Sequence, residues 1–387
     1  MLEIKKYHPN RSFLIVLGII PLLSITGCLR SDATTSQPMT AAHDLLSYPS
    51  LKAPNFIGSA RDWINTPPLT MAGLRGKVVL VDFWEYTCVN CIRTLPYLKD
   101  WYQRYHNDGF VIVGIHTPEF RFAHDRANVI AAVKRFGITY PVLIDDQYAN
   151  WNAYHNSFWP HDFLIDPSGD IVEDHAGEGG YTQTELAIQE LLHRLHPNLR
   201  FPAPVAPIHS ADQPDAVCYP MTPETYAGER GFMERSLNNI GRFEPGKVAF
   251  YQDPHDYPDG VITLQGLWAT DPESLRHARL TTQNQDYIAL RYHAIQANAV
   301  IRPIGNAAFK LIVTQDGKPV PHQDAGADIR YDKSGASYIL VRSSRMYNII
   351  KNRRYGSHLL ELSANSNRFA LYSFTFSSCA MPVSRLP

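Results

Sequence analysis

Residues 77–91, KVVLVDFWEYTCVNC, join an apolar run to a pair of cysteines three positions apart. The run is rich in β-branched residues and contains one acid, Asp82, as expected of a central strand that is covered on both faces. Beyond Cys91, apolar residues recur at helical spacing up to about Tyr105. The segment therefore predicts a buried strand that turns directly into a helix, with both cysteines at the turn.

Cys88 and Cys91 have the spacing of a reversible redox disulfide. At the start of a helix, free amide groups and the helix dipole favour a thiolate over a thiol. We therefore predict that Cys88 is the nucleophile and that Cys91, one turn into the helix, is the shielded resolving cysteine. Val89 and Asn90 between them offer no charge that would stabilise a thiolate strongly, which favours a reductant over a strong oxidant.

Half of a zinc site is the competing interpretation of a Cys-x-x-Cys motif, and it needs two more soft ligands at suitable spacing. The sequence has no second such pair, and its 16 histidines form no compact His-x3-His pattern. We predict no metal site and no cofactor besides the cysteine pair itself.

The surroundings of the motif resemble a known family. Residues 81–84, followed by Cys88-x-x-Cys91 and Pro96, resemble the thioredoxin active-site segment, and 78–120 resembles the exported branch of DipZ-type proteins, to which TlpA-like thioredoxins are close. The resemblance implies an α/β thioredoxin-like domain, with a central mixed sheet flanked by helices and an αβ insertion. The downstream pattern agrees, with strands predicted at 110–116, 140–144, 162–165 and 171–175 and helices at 123–136 and 182–195.

The resemblance also implies roles for individual residues. Pro160 matches the thioredoxin cis-proline, and with Trp159 it would supply backbone for docking a client cysteine peptide. Asp82 matches the buried aspartate that takes a proton from the second cysteine, although a carboxylate held by neighbouring donors without a kinetic role is the alternative. Glu85 departs from the family pattern, so this second acid either tunes the redox potential or faces solvent. The wall of the substrate site is expected to include Trp84, Tyr86 and His116, although aromatic residues beside a central strand more often belong to the core.

The N-terminus has the features of an export signal. Basic residues precede an apolar core at 13–25 that is too short to span a bilayer comfortably. The core ends at Ile25-Thr26-Gly27-Cys28, which resembles a bacterial lipobox, so residues 1–27 are predicted to be removed and Cys28 to be acylated. A plain secretory signal or an uncleaved anchor is the alternative. Residues 28–52 would then form a polar tether, and the protein would face the periplasm or cell envelope from a bacterial membrane.

Two of the five cysteines lie far from the motif and from the signal. If Cys28 carries lipid and the motif pairs internally, Cys218 and Cys379 have only each other. A bond between them would close a loop of about 160 residues and stabilise the fold by roughly 4 to 5 kcal/mol on the chain-entropy model. Two buried free thiols are the alternative, and export to an oxidising compartment favours the bond.

The second half of the chain predicts an all-β domain, most simply a jelly-roll sandwich. The thioredoxin-like domain is assigned to 53–199 and a proline-rich linker to 200–216. Residues 222–226 and 370–376 resemble the opening and the closing of the carbohydrate-module-like domain that follows thioredoxin in DipZ-type proteins, and a β-sandwich of that kind is assigned to 217–383. Its strands are predicted at 247–251, 261–268, 287–294, 299–304, 309–314, 337–341, 358–362 and 369–376, with a hairpin turn at 316–317. Such domains often bind glycans through exposed aromatics, for which the candidates are Trp268, Tyr292, Tyr331 and Tyr347; core packing is the alternative.

The charge balance excludes one class of partner. Lys and Arg total 36 against 37 Asp and Glu, which leaves no positive field for a nucleic acid.

Taken together, the cysteine motif, the signal and the resemblance predict an exported thiol-disulfide oxidoreductase that reduces client protein disulfides and draws electrons from a separate membrane protein of CcdA or DsbD type. The alternatives are a thiol peroxidase, suggested by Thr87 beside Cys88, and a glycan-binding envelope protein with an idle thioredoxin domain.

Overall fold

A seven-stranded sheet carries the cysteine motif in the computed structural model, which describes residues 51–305 and 307–381. Its strands are Leu51–Lys52 (β1), Trp63–Ile64 (β2), Val78–Trp84 (β3), Phe110–His116 (β4), Val142–Ile144 (β5), His161–Ile165 (β6) and Asp170–Ala176 (β7). The α-helices of this part are Val89–Tyr105 (α1), Arg126–Phe136 (α2), Ala149–Ala153 (α3) and Tyr181–Leu195 (α4).

Strand β3 lies at the centre of this sheet and is buried along its whole length. The strand order is β1-β7-β6-β3-β4-β5-β2. Strand β3 runs parallel to β4 and antiparallel to β6, and β4 runs parallel to β5. The predicted thioredoxin-like α/β fold with a mixed sheet is therefore confirmed.

The helix predicted at 123–136 is shorter in the structure. A 3-10 turn occupies Arg121–His124, and α2 begins at Arg126. Asp125 separates the two because its backbone is extended and its carboxylate accepts a hydrogen bond from the Ala127 amide at 2.9 Å. This is the geometry of an N-cap, which starts a new helix and does not continue the old one.

The second half of the chain forms an eleven-stranded antiparallel sheet and a separate two-stranded one, which confirms the predicted all-β domain; the jelly-roll arrangement stays a prediction. The single α-helix in the described part of this half is Gly228–Met233 (α5). The strands are Val217–Cys218 (β8), Thr225–Tyr226 (β9), Lys247–Tyr251 (β10), Ile262–Thr270 (β11), Leu275–His277 (β12), Tyr287–Pro303 (β13), Phe309–Gln315 (β14), Lys318–Pro319 (β15), Ile329–Tyr331 (β16), Ser337–Val341 (β17), Arg345–Ser363 (β18), Phe369–Ser377 (β19) and Cys379–Ala380 (β20).

Two strands of this half, β13 and β18, are much longer than predicted, and β18 covers Arg345–Ser363 where only 358–362 was expected. The strands expected at 287–294 and 299–304 are one strand, β13, whose register shifts between Ala294 and Gln296. Before the shift β13 pairs with β11, and after it β13 pairs with β19, while β18 pairs with it on both sides of the shift. At the irregularity β13 therefore exchanges β11 for β19 and keeps β18 as its partner throughout.

Residues 1–50, and with them the predicted signal and Cys28, lie outside the described residues. The tether predicted for 28–52 does not extend to its expected end, because Leu51 and Lys52 form β1 and pair with β7.

The predicted linker 200–216 is hydrogen-bonded to α4 and α1, since the Val205 amide donates to Glu185 and the Ile208 amide donates to the Tyr97 hydroxyl. Within the described ranges, no helix is long and apolar enough to cross a membrane.

The two halves share a hydrophobic cluster. The rings of Phe120 and Phe122, which follow β4, lie 5.3 and 4.8 Å from the ring of Tyr372 on β19. Tyr226 on β9 and Met346 on β18 belong to the same buried cluster. The β domain therefore packs against the loop that precedes α2, close to the cysteine motif; the exact domain boundaries stay predictions.

Candidate active site

The cysteine pair lies at the amino end of α1. Cys88 is the N-cap of the helix, and its Sγ accepts a hydrogen bond from the Cys91 amide at 3.2 Å. The two residues form a disulfide with their Cα atoms 5.3 Å apart. Cys88 is partly exposed and Cys91 is 1% exposed. Only the first sulfur can therefore meet another polypeptide.

Trp159 and Pro160 lie against the exposed cysteine. The peptide bond between them is cis, and the Trp159 carbonyl oxygen is 3.8 Å from Cys88 Sγ. The Trp159 ring packs on the Trp151 ring at a centroid distance of 4.4 Å, which fixes its orientation. A backbone carbonyl thus sits beside the sulfur, where an extended peptide could pair with it.

Asp82 is buried on the face of the central sheet that α1 and α4 cover. It is 1% exposed, and it lies directly opposite Asp162 of β6 in the antiparallel ladder. Burial raises the pKa of Asp82 well above its usual range, and the neighbouring Asp162 raises it further. The sequence interpretation identified Asp82 but not Asp162, although an acid at the first position of the predicted strand 162–165 was visible there as well.

Glu85 is fully buried, so the alternative in which it faces solvent is wrong. One of its carboxylate oxygens accepts hydrogen bonds from the amide and hydroxyl of Thr87, and the other lies 3.7 Å from His116 Nε2. The Thr87 hydroxyl, on which the peroxidase alternative depended, is therefore already bound. A second acid is present behind the cysteines, but it is held by the loop that leads to Cys88.

The predicted wall residues Trp84 and Tyr86 are also buried, at 0% and 1% exposure. The Tyr86 ring stacks on His116 at 5.4 Å, and the Trp84 ring meets His116 edge-on at 5.3 Å. Trp84 ends β3 and Tyr86 lies in the turn that follows, and both rings are buried in the core. They therefore support the motif from behind and do not contact a client directly.

A groove of about 340 Å³ opens at Cys88, and the β domain forms its far wall. Trp159, Phe158 and Glu119 line the near side. The far side is formed by residues more than 120 positions further along the chain than Cys88: Met221, Thr222, Glu224, Tyr226, Arg230, Thr375 and Phe376. The sequence interpretation missed this wall, since nothing local in 221–230 indicates contact with the motif.

Glu119 joins the two sides of the groove. The Tyr226 hydroxyl donates to Glu119 Oε1 at 2.6 Å, and an Arg230 guanidinium nitrogen lies 3.6 Å from the same oxygen. The Arg230 guanidinium also stacks over the Tyr226 ring at 3.4 Å. Burial and the negative charge of Glu224 raise the pKa of Glu119. These contacts fix the β domain at the edge of the redox site.

Cys218 and Cys379 form a disulfide between β8 and β20, with Cα atoms 4.0 Å apart. Neither cysteine lines the groove.

Three of the four aromatic residues considered for glycan binding are buried in the β-domain core, namely Trp268, Tyr292 and Tyr347. The Tyr331 hydroxyl donates to the Val320 carbonyl at 2.7 Å. The core-packing alternative therefore holds for Trp268, Tyr292 and Tyr347, whereas Tyr331 is partly exposed.

A metal centre would need several convergent ligands. No group of three or more His, Cys, Asp or Glu side chains that could hold a metal ion occurs in residues 51–305 and 307–381.

A cysteine pair at a strand-to-helix turn of a mixed sheet, with a buried acid beneath it, defines a thioredoxin-like thiol-disulfide oxidoreductase. The chain belongs to this family. It is 30% identical to the thiol-disulfide oxidoreductase ResA of Bacillus subtilis over 145 residues, which cover 38% of this chain and 74% of ResA. The family described as Redoxin matches residues 52–188, and the one described as thioredoxin like C-terminal domain matches 222–377.

The similarity to DipZ extends through both halves. The chain is 36% identical to protein DipZ of Mycobacterium tuberculosis over 264 residues, which cover 66% of this chain and 35% of DipZ. The match therefore spans about a third of the length of DipZ. Among solved structures, a thiol:disulfide interchange protein of the thioredoxin family from Chlorobium tepidum TLS aligns with a TM-score of 0.32 and 25% identity, over 38% of this chain and 98% of that one.

Proposed function

We propose that this protein reduces disulfide bonds of client proteins through Cys88 and Cys91. The observation that carries the proposal is the asymmetry of the pair, with a partly exposed sulfur at a helix N-terminus and a buried one a turn further on. The open groove at Cys88 has room for an extended polypeptide beside the Trp159 carbonyl. An exposed nucleophile with a shielded partner suits exchange with large substrates.

The reaction takes two steps. The Cys88 thiolate attacks a client disulfide, so that a Cys88–client S–S bond forms and one client sulfur leaves as a thiolate. Cys91 then loses its proton and attacks Cys88; the mixed disulfide breaks, the Cys88–Cys91 bond forms, and the second client thiolate leaves. Two electrons pass from the cysteine pair to the client. Asp82, buried on the α1 side of the sheet, is the proposed acceptor of the Cys91 proton.

The cellular setting is also part of the proposal. A basic, short apolar segment that ends at Cys28 supports lipid anchorage on the outer side of a bacterial membrane. The proposed electron donor for the oxidised pair is a membrane protein of the CcdA or DsbD class. Glycan binding by the β domain receives no support from the four aromatic residues considered for it, three of which are buried.

Trapping of a mixed disulfide tests the proposed chemistry. The reduced Cys91→Ala variant, mixed with insulin, is expected to form a covalent adduct at Cys88, because the resolving sulfur is missing. Mass spectrometry of the digested adduct gives the linked cysteine, and dithiothreitol should release the insulin chain. The matched Cys88→Ala variant should form no adduct, since Cys91 is 1% exposed. An adduct at Cys91, or none in either variant, rules out the proposed assignment.

The β-domain wall is proposed to contact the client, and Met221 tests this role. Met221 is 49% exposed and lines the groove, so Met221→Glu places a charge against an approaching polypeptide without disturbing the core. We expect kcat/KM for insulin to fall about fivefold, which corresponds to roughly 1 kcal/mol at an interface. Hydroxyethyl disulfide, a small neutral substrate, should be reduced at the unchanged rate.

Met233 supplies the control for that substitution. It is 75% exposed on α5 and does not line the groove, so Met233→Glu makes the same chemical change away from the site. Equal losses in the two variants, or an equal loss with the small disulfide, would show that the β domain does not contact clients at Met221.

A further inference from the structure

Two carboxyl groups, not one, lie buried behind the redox pair. Asp82 on β3 and Asp162 on β6 are direct partners in the antiparallel ladder, so their side chains leave the sheet on the same face at adjacent positions. They are 1% and 6% exposed. The same face carries the hydrophobic cluster that includes Cys91 and Leu95 of α1, which places the pair under the helix with the resolving cysteine.

The pair has no local compensation for charge. Both carboxylate oxygens of Asp82 and one of Asp162 are buried without a hydrogen-bond partner in the described ranges, and no Lys, Arg or His there lies within ion-pair distance of either acid. Two like charges in such a position cannot both persist at low cost. The state of lower free energy is the one in which the two carboxyl groups share one proton, and the two groups then titrate as a unit.

The neighbouring titratable groups do not change this conclusion. His175 of β7 is the register partner of Asp162, but no ion pair joins them among the described residues. Glu173 of β7 accepts a hydrogen bond from Thr184 of α4 and raises the pKa of Asp162 through its charge. Tyr140, before β5, is buried, and its pKa is raised by burial and by both aspartates. Burial is the largest cause of the raised pKa of Asp162 itself.

We propose that Asp162 is a positioning residue for Asp82. Before Cys91 attacks the mixed disulfide, the two carboxyl groups together hold one proton and one negative charge. The proton that Cys91 loses then makes both carboxyl groups neutral. The inference rests on the proposed function, since it concerns the second step of disulfide exchange. When Cys91 loses its proton to the pair, its thiolate attacks Cys88 and the client thiolate leaves. The pair later returns the proton to solvent. Neutralisation of a buried charge thus accompanies formation of the attacking thiolate, which lowers the cost of that step.

Stopped-flow reaction of the reduced protein with Ellman's reagent separates the two steps. Attack by Cys88 releases the first thionitrobenzoate, and attack by Cys91 releases the second. In Asp162→Asn we expect an unchanged first phase, a second phase slower by about three- to tenfold, and an inflection of its pH profile at lower pH than in the unchanged protein. The reason is that Asp82 without its acidic neighbour has a lower pKa and is a weaker base. Asp82→Asn should slow the second phase by about 10²-fold or more.

Glu190→Gln is the control, because it also removes one negative charge. Glu190 lies on α4, pairs with Arg194 and is more than half exposed, so both phases should stay unchanged. A second phase in Asp162→Asn with the rate and pH profile of the unchanged protein overturns the inference while leaving the proposed function intact. Absence of the first phase in the unchanged protein instead contradicts the proposed function.

A measurement without turnover tests the same pair. Carboxyl-carbon NMR of the oxidised protein should show Asp82 titrating in two steps, and Asp162→Asn should reduce them to one. The pH dependence of the free energy of unfolding tests the same pair a second way. Because the folded-state pKa values are raised, the pair stabilises the fold fully below about pH 4, and this contribution is lost as pH rises toward neutrality and above. Asp162→Asn should therefore be more stable than the unchanged protein at pH 8 and lose that advantage at pH 4. A single-step Asp82 titration in both proteins overturns the inference.

Discussion

Replacement of Cys88 by serine is expected to lower insulin reduction to the rate of dithiothreitol alone. A serine hydroxyl has no thiolate-like form near neutral pH, so the first S–S exchange has no nucleophile. Cys91 cannot substitute for it, because it is 1% exposed and faces the core beneath α1. The measurement is insulin turbidity with dithiothreitol as the electron source. Cys91→Ser should also lose turnover, but it should still consume one disulfide as a stable adduct.

The serine variant offers its own folding control. Cys88 is the N-cap of α1, and serine is among the residues that N-caps prefer, so Cys88→Ser should melt close to the unchanged protein. Loss of turnover then reports chemistry and not unfolding. Turnover in Cys88→Ser clearly above the dithiothreitol background would mean that another group initiates reduction.

Much of the thioredoxin-like half was open to prediction because its signals are local. An apolar run that enters a Cys-x-x-Cys motif gave β3, the turn and α1 to within a residue or two. The burial of Asp82 followed from the same run, since an acid within a strand covered on both faces has no route to solvent. Asp162 was missed although it opens the predicted strand 162–165. Its significance depends on the register of β6 against β3, which no local pattern contains.

The groove wall could not be predicted for a different reason. Met221 and Phe376 lie 133 and 288 positions after Cys88, and they reach the site only because the β domain packs on Phe120 and Phe122. Such a surface depends on how two folded units dock. Glu119 was within the stretch that resembled the family, but its role in joining the groove walls needed Tyr226 and Arg230 to be located.

The burial of the aromatic residues of the β domain could not be predicted from residue type alone. Trp268, Tyr292 and Tyr347 were considered as a sugar platform, yet all three fill the core between long strands. The polar ends of these side chains are satisfied inside, as when the Tyr292 hydroxyl donates to Gln315 at 2.7 Å. An aromatic residue in a strand could face either side, and only strand register decides which.

Removal of the Cys218–Cys379 bond is expected to have the largest effect on stability. The cysteines are 161 positions apart, and the loop they close contains strands β9 to β19 of the β domain. Loss of that constraint should reduce the free energy of unfolding by about 3 to 5 kcal/mol on the chain-entropy view. For a unit of this size, the midpoint of thermal unfolding should fall by roughly 10 °C. Calorimetry of the Cys218→Ala/Cys379→Ala variant measures it.

The redox pair gives the contrast for this measurement. Cys88 and Cys91 are three positions apart, so their bond closes a short loop. By the same reasoning, the free energy of unfolding of Cys88→Ala/Cys91→Ala should fall by only about 2 kcal/mol.

The bond between Cys218 and Cys379 also bears on the groove, because each cysteine stands three positions from a groove-lining residue, Met221 and Phe376. The distant bond therefore holds together the two segments that form the client wall, and its loss should impair insulin reduction more than hydroxyethyl disulfide reduction. A shift no larger than that of the short-loop variant would mean that packing alone holds these segments in place.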